Sequence, residues 1–89
     1  MNSERIPTIL AAAGHPTRFE VLRLLSGEKD GLAAGEIGRR LEVGQSTLSS
    51  HLKKLADADL VSTTRSGTTI SYRLNRSTAE AVGKAMTEL

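Results

Sequence analysis

The stretch Gln45-Ser46-Thr47-Leu48-Ser49-Ser50-His51-Leu52-Lys53-Lys54 concentrates the recognition chemistry of this chain. A glutamine amide can bond an adenine edge in two places, and serine or threonine hydroxyls reach base edges or phosphate oxygens. Lysines neutralise phosphates without reading sequence. Stepping about 100° per residue, Gln45, Ser46, Ser49, Ser50 and Lys53 fall on one side of a helix, and Leu48, Leu52, Leu55 and Ala56 on the other. An ordinary solvent face favours Glu or Lys, because serine is a mediocre helix former. Short hydrogen-bonding side chains instead let a helix sit deep in a major groove. The spacing therefore predicts a DNA-contacting face of Gln45, Ser46, Thr47, Ser49 and Ser50, with Lys53 and Lys54 on the phosphate backbone. Arg65, in a turn-rich segment downstream, is expected to enter a minor groove or meet a phosphate.

Other chemistry is poorly supplied. No phosphate-cradling glycine loop and no histidine–carboxylate cluster at a recognisable spacing is present, so no enzyme activity is expected. The chain has no cysteine, which removes disulfides, thiolate metal sites and thiol redox sensing. It has two histidines. His15 is read as a flank or cap of the helix that follows it. His51, beside the apolar stripe, is read as packing between its own helix and a hairpin. Glu80 and Glu88 are read as solvated charges. No metal and no cofactor is expected.

The elements that must present these groups follow from periodicity. Ile6–Gly14 reads as a short apolar helix. His15-Pro16-Thr17 opens a second, ending at Ser26-Gly27, in which Phe19, Val21, Leu22, Leu24 and Leu25 are expected at the centre of the core. Residues 33–43 read as a third helix with Ile37 and Leu41 on one face, and residues 45–58 as a fourth. The period then changes. Ile70, Tyr72 and Leu74 alternate with polar residues, and Val61–Thr64 is a β-branched partner run. Ser66-Gly67 supplies the turn of a hairpin with Arg65 at its tip. Ser77 or Thr78 is expected to cap a last helix. The fold class is mainly α with a small β component: four helices, a β-hairpin and a fifth helix, a winged helix-turn-helix.

With 89 residues the chain fits one domain, 1–89. Residues 39–76 carry seven basic and three acidic side chains, and the segments on either side are each net −1. A footprint for nucleic acid on part of a domain has this distribution. No apolar run approaches the about 20 residues that span a bilayer, and residues 1–8 do not have the make-up of a signal peptide, so a cytoplasmic location is expected. Segments 5–14 and 77–89 hold more apolar surface than one small core needs. Ile9, Leu10, Ala13, Val82, Ala85, Met86 and Leu89 are therefore expected at a homodimer interface. A two-fold pair would set two recognition helices about 34 Å apart on an inverted-repeat operator. The competing reading is a winged helix that binds protein or RNA. It would favour aromatic anchors, and aromatics are 2% of the chain.

Residues 8–76 resemble the ArsR/SmtB-type regulators. Gly14-His15-Pro16-Thr17-Arg18 with Val21-Leu22-Leu24-Leu25 is similar to the family's opening helix, and Gly35-Glu36-Ile37 with Leu41 to its first helix-turn-helix helix. Gln45–Leu52 with Leu55 and Leu60-Val61 resembles its recognition helix, and Arg65-Ser66-Gly67 with Ile70, Tyr72 and Leu74 its wing. The resemblance implies a repressor that leaves operator DNA on a signal. The family's cysteine pair on the third helix is replaced here by Leu32-Ala33-Ala34-Gly35, and its last-helix histidines are absent. Asp59 stands where the family usually has glycine, and aspartate tolerates the left-handed turn.

Overall fold

The computed structural model describes residues 3–89, Ser3 by its backbone alone. Met1 and Asn2, part of the N-terminal stretch considered for a signal peptide, lie outside the described residues. After a 3-10 turn at Ser3–Arg5 come α1 (Ile6–Ala13), α2 (Pro16–Ser26), β1 (Leu32–Ala33), α3 (Ala34–Leu41), α4 (Gln45–Asp57), β2 (Val61–Ser66), β3 (Thr69–Leu74) and α5 (Arg76–Thr87). The three strands form an antiparallel sheet in the order β1-β3-β2.

Local chemistry sets the boundaries. Pro16 opens α2, and the His15 side chain caps it: Nδ1 accepts the Thr17 N–H at 3.1 Å. The expected flanking role of His15 is thus met by a specific bond. α3 ends at Glu42, whose φ of 56° is left-handed, and Val43 N–H closes back on the Gly38 carbonyl at 3.0 Å. α4 ends in the same way through Asp59 at φ 59°. Asp59 N–H bonds the Ala56 carbonyl at 3.0 Å and Leu60 N–H the Leu55 carbonyl at 2.9 Å, the paired bonds of a left-handed helix stop. The expectation for Asp59 holds. Its carboxylate is also used, accepting Arg5 Nη1 at 2.7 Å.

The core gathers the inner residues of the first four helices. Ile9 of α1, Val21, Leu22 and Leu25 of α2, Ile37 of α3, and Leu48, Leu52 and Leu55 of α4 are buried with Ala58, Leu60 and Val61. The hairpin pairs Val61 with Leu74 through Ser66 with Thr69. Gly67, at φ 64°, turns it.

Several expectations need correction. Phe19 is half exposed and lies under the Arg23 guanidinium, 5.5 Å from the ring centroid. Helical spacing puts Val21, Leu22 and Leu25 on the inner side and carries Phe19 round to the side of Arg23. Ile9 is wholly enclosed within the chain, so it offers no surface to a partner. α3 is shorter than expected at both ends: Ala33 pairs with Ser71 beside Leu32 with Tyr72 in a strand too short to show a period, and the left-handed Glu42 stops the helix at Leu41. α5 starts earlier, behind Asn75, whose Oδ1 accepts the Ser77 hydroxyl at 2.8 Å, while Thr78 is buried. Arg65 sits two residues before the turn at Gly67-Thr68, opposite Ile70.

Candidate nucleic-acid interface

The helix-turn-helix is α3, a three-residue turn and α4. Glycine at 38 lets its two arms approach. A Cβ there would meet the Val43 carbonyl at 2.9 Å and collide with the Gln45 amide. That amide donates across the turn to the Ala34 carbonyl at 3.3 Å. Gln45 therefore ties the first turn of α4 to the start of α3. Sequence reasoning placed Gln45 on the outer face and missed this bond, because nothing local links positions 34 and 45.

The remaining outer face is as the spacing predicts. Ser46, Thr47, Ser49, Ser50, Lys53 and Lys54 are all exposed, as is Gln45, while Leu48, Leu52 and Leu55 point into the core. The first turn of α4 carries no acidic side chain. Its outward N–H groups therefore meet no competing carboxylate there, a setting that favours phosphate. Lys53 is held by Asp57 at 3.0 Å, both exposed, so the pair contributes little and yields readily.

Arg65 is exposed on β2 among Thr63, Thr64 and Ser66. A second wing arginine, Arg73 on β3, was not expected from the sequence to act; it donates to Thr64 Oγ1 at 3.2 Å and braces the hairpin. Two more, Arg39 and Arg40 on α3, converge on Glu36: Arg40 Nε reaches Glu36 Oε2 at 2.6 Å and Arg40 Nη1 reaches Glu28 Oε1 at 2.7 Å. The bonds from Arg39 and then Arg40 hold the Glu36 carboxyl down to about 2 from 4.5. These arginines were visible only as charge in the middle third of the chain.

His51 is not where the sequence suggested. It packs on His15, with ring centroids 4.5 Å apart and planes at 45°, at the junction of α4 with the start of α2. Burial, then His15, Arg18 and Lys54, lowers its proton affinity.

Away from this face, Leu10 and Met86 are exposed and line an apolar groove of about 400 Å³ with Ile6, Pro7, Ala85 and Leu89, between α1 and α5. Ala13 and Val82 are partly covered by the chain's own core. Among the described residues no cluster of three or more His, Asp or Glu side chains has metal-binding geometry. Among them, too, no helix is long and apolar enough to cross a membrane.

A hairpin beside a helix-turn-helix whose second helix turns a small polar face outward defines a winged helix-turn-helix of the DNA-binding class. Comparison with known proteins agrees. Residues 13–64 match the family described as a helix-turn-helix domain. The arsenical resistance operon repressor of Staphylococcus xylosus is 40% identical over 76 residues, 84% of this chain and 70% of that protein. The transcriptional activator HlyU of Vibrio cholerae is 35% identical over 81 residues, 91% of this chain and 73% of its own length. A solved structure of HlyU superposes with a TM-score of 0.79 at 30% identity, covering 94% of this chain and 90% of that one. A homodimeric winged helix-turn-helix domain from Mycobacterium bovis shares the fold, with a TM-score of 0.80 at 22% identity over 94% of this chain and 77% of that one. The chain belongs to the ArsR/SmtB-type winged helix-turn-helix regulators. It is a transcriptional regulator and not an enzyme.

Proposed function

We propose that this chain is a repressor that binds an inverted-repeat operator as a homodimer in the cytoplasm, with α4 in the major groove and the wing at the flanking groove. The observation that carries the reading is the outer face of α4: Ser46, Thr47, Ser49 and Ser50 exposed in succession, without a carboxylate in the first turn. Ser46, Thr47, Ser49 and Ser50 reach base edges and nearby phosphates. Gln45 reads an adenine edge by giving up an exposed bond to Ala34, a loss of about 0.5–1.5 kcal/mol that a bidentate base contact of about 1–3 kcal/mol outweighs. Lys53 and Lys54 hold phosphates, and Arg65 meets the flanking groove.

The groove of Ile6, Pro7, Leu10, Ala85, Met86 and Leu89 supports pairing of two copies through α1 and α5. The homodimeric neighbour has the same fold. Segments 5–14 and 77–89 thus serve as the dimer arms of a single domain spanning 1–89, with Leu10, Ala13, Val82, Ala85, Met86 and Leu89 contributing and Ile9 behind them in the core. The arsenical resistance of the Staphylococcus relative does not transfer: the chain has no cysteine to ligate arsenic. Adding zinc, nickel or arsenite should leave operator affinity unchanged, and a stoichiometric metal effect on binding would overturn this part of the reading.

Selection of bound duplexes from a random pool tests the reading. It is expected to return an inverted repeat with half-site centres about 34 Å apart. Absence of any preference over random DNA at physiological salt refutes it. So does enrichment of single-stranded RNA in a parallel pool with no enrichment of duplex DNA.

A further inference from the structure

We propose that the His15–His51 contact is a proton-sensitive latch that seats α4 on α2, and that mild acid releases it. Its effect on DNA rests on α4 being the DNA-facing helix; the latch itself does not.

Three features converge at the contact. First, His15 Nδ1 accepts the Thr17 N–H that caps α2. An acceptor nitrogen carries no proton, so the cap bond requires the neutral ring with its hydrogen on Nε2. Protonating Nδ1 turns the acceptor into a donor and ends the cap. Second, His51 Nδ1 and Arg18 Nε are both enclosed and lack hydrogen-bond partners. A guanidinium N–H can only donate, whereas an imidazole nitrogen accepts only while the ring is neutral. Protonated His51 would put a second unsatisfied donor into the same region.

Third, the surroundings are cationic. His51 packs on His15, the cap of α2, and feels the positive charges of Arg18 on α2 and Lys54 on α4 itself. α1 brings only Thr8, Ala11 and Ala12 to the adjoining cleft that Arg18 and Lys54 line. The nearest carboxylate on that cleft, Asp57, is held by Lys53 at 3.0 Å. Among the described residues lining that cleft no free carboxylate compensates an imidazolium, and with rings 4.5 Å apart a charge on either histidine opposes one on the other.

The sign follows. Burial first, then its charged neighbours, makes folded His51 bind a proton less readily than the unfolded chain does. Its contribution is therefore fully present above the ordinary histidine value of about 6.5 and is lost as pH falls below it. Since α4 and α2 meet at this contact, the loss loosens the helix that carries Ser46, Ser49 and Ser50. Simple charge predicts the reverse for DNA, because added protons strengthen attraction to phosphates.

The purified protein tests this at constant ionic strength between about pH 7.5 and pH 5.5, the range in which histidine titrates. Imidazole proton resonances of the two histidines are followed together with amide exchange in α4 and α5. The latch predicts that His51 titrates below the free-histidine value, that α4 loses protection before α5, and that the thermal midpoint falls by about 4–8 °C, the response of a domain this size to roughly a fivefold change in its folding constant. His15→Asn keeps a capping side chain that takes up no proton, and His51→Gln keeps an acceptor. The double variant is expected to flatten the profile. An ordinary histidine titration in the wild-type protein overturns the proposal, as does an undiminished pH profile in the double variant; the wild-type titration decides even if a variant fails to fold. Binding to a fixed 30-base-pair duplex is expected to weaken several-fold on acidification. Loosening of α4 without weaker duplex binding overturns the link to DNA and leaves the latch supported. Absence of duplex binding at every pH sinks the DNA reading instead.

Discussion

Two glycines in α3 should respond oppositely to the same substitution. Gly38 is buried, and an added Cβ would meet the Val43 carbonyl at 2.9 Å and the Gln45 amide. Overpacking of this kind costs about 1–3 kcal/mol. Displacing the Gln45 bond to Ala34 costs about 0.5–1.5 kcal/mol more. Against this stands the helix-propensity gain of alanine over glycine, about 1 kcal/mol. Gly38→Ala should therefore destabilise the protein by about 0.5–3.5 kcal/mol. Gly35, one turn earlier, has open space at its Cβ position. Gly35→Ala should stabilise by a few tenths up to about 1 kcal/mol. Urea unfolding of the three proteins at neutral pH measures both, with the midpoint as readout and an unchanged slope as the check on two-state behaviour. Because Gly38 sets how closely α3 meets the start of α4, its variant should also lose operator affinity beyond its loss of folded fraction. A Gly38→Ala protein as stable as Gly35→Ala would refute the claim that the turn between α3 and α4 has no room for a side chain at position 38.

Lys53→Ala should weaken binding to every duplex alike and shallow the salt dependence by about one unit; an unchanged slope removes Lys53 from the phosphate contacts. Gln45→Ala should cost about 1–3 kcal/mol on the selected site and relax base preference, and equal losses on all sequences would assign it to the turn alone. Met86→Glu, on the exposed groove, should shift sedimentation toward monomer at micromolar protein without lowering helicity. Glu36 has its pKa lowered from 4.5 to about 2, so its ion pairs with Arg39 and Arg40 are intact above about pH 4.5 and lost as pH falls toward 2. Glu36→Gln should remove that part of the acid-unfolding curve and leave the neutral plateau nearly unchanged, since the pairs are exposed.

Much of this protein was legible residue by residue. The leucine spacing at 48, 52 and 55 fixed which side of α4 is inner, and hence the polar outer face, because helical geometry needs no tertiary information. The period change after Val61 announced the hairpin, whereas the left-handed stop at Asp59 was implied by the family resemblance and remains available to a short polar side chain. The tertiary structure alone decided what depends on chain segments meeting. It carried Phe19 out of the core and Ile9 fully into it, since a helix shows its apolar residues in sequence but not how many sides its neighbours cover. It added β1, a strand of two residues specified only by its partner β3. It brought Gln45 onto Ala34 and His51 onto His15, pairings 11 and 36 positions apart. Periodicity reports what a segment does around its own axis, and contacts of that range are set by how the axes pack.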